Sequence, residues 1–102
     1  MQKIVMYWRD IPSMVIIKKK REKGKAMLPD RFQEAIDRAA MRAGKGSSDL
    51  YIEEWRRVVT DAESCDSLQE TAVKEARILE EFISDELLKK MIKNNGFKLS
   101  NE

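Results

Sequence analysis

The sequence predicts an α+β domain: a small antiparallel sheet of two to three strands covered by helices, in the order β-β-α-β-α-α. Three observations carry this. Apolar, β-branched runs at 4–8 and 14–17 flank a short break containing Asp10 and Pro12. Two later segments, opening near Leu28 and Ser67, repeat their apolar residues at helical spacing. Hydrophobic residues make up 42% and charged residues 37% of the 102, which suits a single core under a charged surface and argues against a disordered chain.

Residues 4–8 are apolar at both parities of a strand, so this strand calls for cover on both faces. Residues 9–13 form the hairpin loop, where Asp10 suits an Asx-type turn and Pro12 holds Ile11 extended. The second strand, 14–17, ends abruptly in Lys18, Lys19, Lys20 and Arg21. With Lys23 and Lys25 these make six basic side chains against Glu22 alone. That local excess of five positive charges leaves the rest of the chain at −3 within a total of +2, a basic loop on a mildly acidic body.

Leu28 and Pro29 announce the first helix, because proline is tolerated where a helical N–H would be unpaired. Phe32, Ile36, Ala39 and Ala43 form its stripe, and Gly44 ends it as a left-handed cap. Residues 49–59 combine helical spacing with a strand-like composition. Since two strands alone are marginal, they are read as a third strand, with Tyr51, Glu53, Trp55 and Arg57 on one face and Ile52, Glu54, Arg56 and Val58 on the other. Ser67 and Glu70 make a capping box for a helix whose stripe is Ala72, Ala76, Leu79 and Ile83, widened by Leu68, Val73 and Phe82. Ser84 and Asp85 read as a break and a fresh N-cap for a short helix burying Leu87, Leu88, Met91 and Ile92 and closed by Gly96. Residues 1–97 form one domain, 98–102 a loose tail, and Trp8, Ile16, Phe32 and Leu79 are expected in the core.

The chemistry in this chain is sparse. Cys65 is the sole cysteine and there is no histidine, so neither an intrachain disulfide nor the common zinc ligand sets can form, and no base stands ready to activate the thiol. Neither a cofactor nor a metal is expected. The turn at 43–48, AGKGSS, follows a helix and lacks P-loop spacing, so it reads as a cap and turn. No apolar run approaches the length of a membrane span and the N-terminus lacks a signal-peptide layout, so a cytoplasmic location is expected. The basic run at 18–25 is suited to phosphate backbones but holds no aromatic residue on which a base would stack.

Three blocks, YWRDIPSMVIIKK at 7–19, LPDRFQEAIDRAAMRAG at 28–44 and SDLYIEEWRR at 48–57, together resemble the small bacterial virulence factor domain over about residues 1–92. The family has no established catalytic residues, so the resemblance transfers none. Its stand-alone members accompany folate and corrinoid one-carbon enzymes, which implies an accessory role beside such an enzyme. The lysine-rich stretch departs from the family pattern.

Three functional readings follow in order of preference. The first is a non-catalytic accessory domain that docks on a protein partner, with Arg9, Asp10, Tyr51, Arg56 and Arg57 as its contact residues, since they lie in the family-like blocks and are types enriched at interfaces. The second is nucleic-acid binding through Lys18, Lys19, Lys20, Arg21, Lys23 and Lys25. The third is a folate- or corrinoid-linked enzyme.

Overall fold

The computed structural model describes residues 1–44, 48–63 and 66–98, with the backbone alone at 48–50. Cys65, the middle of the 43–48 turn and the last tail residues lie outside these. The elements are β1 (Gln2–Trp8), β2 (Ile11–Lys19), β3 (Glu22–Met27), α1 (Asp30–Arg42), α2 (Ser48–Glu53), β4 (Trp55–Asp61), α3 (Leu68–Phe82) and α4 (Asp85–Lys93). The strands form one antiparallel sheet in the order β3-β2-β1-β4.

The class is α+β as expected, but the sheet has four strands, not two or three. The extra one is β3, which runs through the presumed basic loop. Its sequence, EKGKAM, has none of the β-branched or aromatic residues that mark a strand. Pairing with β2 and cover from α3 hold it instead. Gly24, opposite Ile17, lies against the first turn of α3, where a Cβ would overlap the Leu68 carbonyl and the Gln69 backbone nitrogen. The Gln69 side chain then pairs with the strand edge, accepting from the Lys25 N–H at 3.0 Å and donating to the Lys25 carbonyl at 2.8 Å. This seals one stretch of an edge otherwise open to strand addition.

Two further expectations are corrected. Residues 49–59 are not one strand: α2 ends at Glu53 and β4 begins at Trp55, so the helical spacing was true of the first half and the β-rich composition of the second. The hairpin loop is two residues, Arg9 and Asp10, rather than four or five. Pro12 lies within β2, opposite Tyr7, where the register shifts between Met6 and Tyr7 and the missing N–H is tolerated. Arg9 takes the left-handed conformation, with φ 55.

The helix ends match their caps. Ser67 Oγ accepts from the Glu70 N–H and Ser84 Oγ from the Leu87 N–H, each at 3.2 Å. Gly44 and Gly96 have positive φ after α1 and α4. Trp8 and Phe32 are buried as expected, in a cluster with Ile11, Val15, Ile17 and Ile36. Ile16 and Leu79 are only half-buried. Val73 and Phe82 do not widen the buried stripe of α3, being 40% and 78% exposed. The small Ala72 and Ala76 are what α3 buries, which brings its backbone close to the sheet.

Helix α3 packs along β2 and β3, on the face that carries Val5, Tyr7, Val15 and Val58. The opposite face carries Ile4, Met6, Met14 and Ile16, and Ile4 stands outside the main core cluster. The expectation of cover on both faces of β1 is met by α3 on one and, at the Trp8 end of the other, by Tyr51 of α2, which stacks on the wholly buried indole.

Candidate functional site

The residues expected at a docking surface converge around the β1–β2 turn, with one exception. Arg9 reaches inward rather than into solvent: its side chain is 9% exposed and pairs with Glu54 at 3.2 Å. Its Nη1 donates to the Asn95 carbonyl at 2.8 Å, and its guanidinium lies 4.5 Å from the Phe97 ring centroid and 5.2 Å from that of Trp8. The left-handed backbone at Arg9 is thus held by contacts to two distant segments, at Glu54 and at 95–97, and to the neighbouring Trp8. Tyr51 is half-buried, stacked on Trp8 at 5.9 Å and edge-on to Trp55, while the Trp8 indole N–H donates to the Tyr51 carbonyl at 2.9 Å.

Asp10 does not bond its own backbone in an Asx turn. Its carboxylate accepts from Arg56 Nη2 and from the Lys98 N–H, both at 2.8 Å, tying β4 and the start of the tail to the turn. Arg56 also donates from Nε to the Arg9 carbonyl and lies over the Tyr7 ring at 4.8 Å. Arg57 is the exception. Adjacent strand residues alternate, so it faces the other side of the sheet, opposite Met6. No single surface holds Arg9 and Arg57 together.

The Asp10–Arg56 pair forms the polar end of a groove of about 580 Å³ between the sheet and the α3–α4 corner. Tyr7 and Val58 line it from the sheet, Leu79, Phe82 and Ile83 from α3 and its cap, Leu87 and Met91 from α4. The corner is set by Arg31, which donates from α1 to the Glu80 and Ile83 carbonyls at 2.9 Å and pairs with Asp85 at 3.0 Å. These bonds satisfy carbonyls left open at the end of α3. Phe82 was hidden from sequence reasoning because its position also fits the buried stripe. The basic residues form the β2–β3 hairpin: Lys18, Lys23 and Lys25 on the open face of the sheet, Lys19 on the other and Lys20 and Arg21 in the turn, all exposed. Among the described residues no group of three or more acidic, His or Cys side chains is placed to hold a metal ion, and no helix is long and apolar enough to cross a membrane.

The Arg9 contacts carry a stability prediction. Arg9→Ala removes an ion pair, a carbonyl bond and two ring contacts at once, and is expected to cost about 2 to 3 kcal/mol in chemical denaturation. A loss under about 0.5 kcal/mol, the ordinary range of surface substitutions, would show that Arg9 does not hold the turn.

This architecture defines a small α+β domain, an open four-stranded antiparallel sheet packed by helices, with an apolar groove at the α3–α4 corner. The chain belongs to the family described as "Virulence factor", which matches residues 6–92. No curated protein and no solved structure matches it.

Proposed function

We propose that the chain is a non-catalytic accessory domain that docks on a protein partner, with the groove at the α3–α4 corner as its contact site. The observation that carries this is Phe82: a large aromatic, 78% exposed, on the wall of an apolar groove whose polar end is the Asp10–Arg56 pair. An apolar site with a few placed polar groups is how an interface centre is built. The occupant that fits is an aliphatic or aromatic anchor of the partner seated on Phe82, Leu87 and Met91. An enzyme of folate- or corrinoid-linked one-carbon metabolism is the partner class implied by the family resemblance. Of the expected docking residues, Asp10 and Arg56 serve this site directly, and Arg9 and Tyr51 hold the turn that presents them.

Phe82→Asp tests this. With so little of the ring buried, its melting temperature should stay within about 2 °C of the parent, while co-purification of such an enzyme and its heat of binding should be lost, since a central aromatic anchor is worth about 2 kcal/mol or more. Unchanged binding in Phe82→Asp would remove the groove from the interface. The groove also falls in the size range of small-molecule sites, so a low-molecular-weight ligand displacing the partner is the competing result.

A second reading, nucleic-acid binding, is favoured by the crowding of Lys18, Lys19, Lys20, Arg21, Lys23 and Lys25 on one exposed hairpin. It predicts weak, sequence-indifferent binding that collapses between about 50 and 200 mM salt. Fluorescence anisotropy with an oligonucleotide at both salt concentrations checks it, and tight salt-resistant binding to one sequence would make this the leading reading.

A further inference from the structure

On the face of the sheet away from α3, β1 is covered by α2 at its Trp8 end, while an apolar stripe continues past that end toward solvent at both sheet edges. Ile4, Met6, Met14, Ile16, Met27 and Val59 form an apolar stripe across all four strands on the side away from α3, because the registers Ile4↔Ile16, Ile4↔Val59, Met6↔Met14 and Met14↔Met27 align them. Met27 is 59% and Val59 46% exposed at the two edges, Met6, Met14 and Ile16 are half-buried between them, and Ile4 is buried. Lys18, Lys23, Lys25 and Arg57 stand around the stripe on the same face, all exposed, and Asp61 is the one acidic side chain that the strands place there. The ion pairs of the described residues, Lys3–Glu75, Arg9–Glu54, Arg31–Asp85 and Arg56–Asp10, engage none of these four cations.

We propose that this open sheet face is a docking site for an acidic amphipathic helix of a partner protein, one with leucine- or isoleucine-type residues on its contact side and Glu or Asp along its flanks. Charge complementarity selects the acidic flanks: four cations with no ion pair among the described residues border an apolar centre. Geometry selects a helix. Three strand spacings give the stripe a length of about 14 Å, the rise of about nine helical residues, and a helix laid there supplies the missing third layer of the domain. Met6, Met14 and Met27, running from the centre of the sheet to its β3 edge, give an adaptable surface of the kind that accepts apolar helix faces. Nucleic acid fits less well, since the stripe is aliphatic and Trp8, beyond its end, is wholly buried and offers no stacking platform. The inference rests on reading the chain as a docking domain, but uses the surface opposite the groove.

Methionine methyl NMR on the full chain separates the outcomes, because Met6, Met14 and Met27 report the stripe, Met91 the groove and the 75%-exposed Met41 neither. The probe is a synthetic peptide of about 18 residues, long enough to populate a helix, with Leu on one face and Glu on its flanks, compared with the same peptide carrying Lys for Glu. The acidic peptide should shift Met6, Met14 and Met27 while Met41 stays silent, and the lysine peptide should not bind. Lys18→Glu with Lys25→Glu, both exposed, should raise the Kd about tenfold or more with the melting temperature unchanged. Silence at the three methyls, or equal shifts with the lysine peptide, overturns the proposal. So does a single-stranded oligonucleotide or a phosphatidylglycerol vesicle that shifts them where the acidic peptide does not. A shift at Met91 alone would keep the docking reading at the groove and reject this face.

Discussion

Gly24→Ala is expected to destabilise the domain by about 3 kcal/mol or more, at or beyond the upper end of ordinary overpacking costs. The reason is what the methyl group would meet. At Gly24 a Cβ collides with the Leu68 carbonyl and the Gln69 nitrogen, backbone atoms in the first turn of α3, so the helix itself must move. Moving it also breaks the Gln69 bonds to Lys25 and lifts Ala72 and Ala76 off the sheet. A fall in melting temperature of more than about 10 °C follows for a domain of this size. Gly44→Ala is the control, because that glycine has φ +73 but nothing within 4 Å of a Cβ, so its cost is confined to the helix cap, about 1 kcal/mol. If Gly24→Ala costs no more than Gly44→Ala in urea denaturation, α3 is not seated on β3 as described.

Trp8→Ala is expected to cost about 3 to 5 kcal/mol, a large share of the stability of a small domain. Trp8 is wholly buried and joins parts that are far apart in sequence, Tyr51 by stacking and a carbonyl bond and the α4 cap by close packing, since a Cβ on Gly96 would approach its Cζ3 to 2.8 Å, and the neighbouring Arg9 adds a cation–π contact. Trp8→Phe separates the parts of this effect. It keeps an aromatic ring on Tyr51 but loses the indole N–H, and should cost about 1 to 2 kcal/mol. A Trp8→Ala variant that melts within a degree or two of the parent would remove Trp8 from the core.

The helical corner was legible only in part. Arg9, Asp10, Tyr51, Arg56 and Arg57 could be singled out because a core needs no arginine or aspartate and Tyr and Arg are enriched at interfaces, yet their spacing gives no sign that Arg9 turns inward to Glu54, that Arg56 takes Asp10 or that Arg57 faces the other side of the sheet. Phe82 could not be distinguished from a buried residue at all. Its spacing matches the α3 stripe, but it does not widen that stripe: α3 ends at Phe82 and the chain turns at Ile83 into α4, so the last aromatic overhangs the corner instead of being covered. The open face left a clearer trace, the apolar residues at both parities of β1.

The sequence by itself determined the elements whose signals are local. The first two strands, the Ser67 and Ser84 caps, and the glycine ends of α1 and α4 are each written in a few neighbouring residues, because capping bonds and backbone conformation act within one turn of chain. Only the tertiary structure decided β3, the split of residues 49–59 and which face of the sheet stays open. EKGKAM becomes a strand because β2 offers its edge and α3 needs a residue without a side chain at Gly24, and Tyr51 and Trp55 fall in different elements because both must reach Trp8. The seating of α3 on Gly24 and the Trp8–Tyr51 contact join residues some 40 or more positions apart, and no window of local sequence contains both partners.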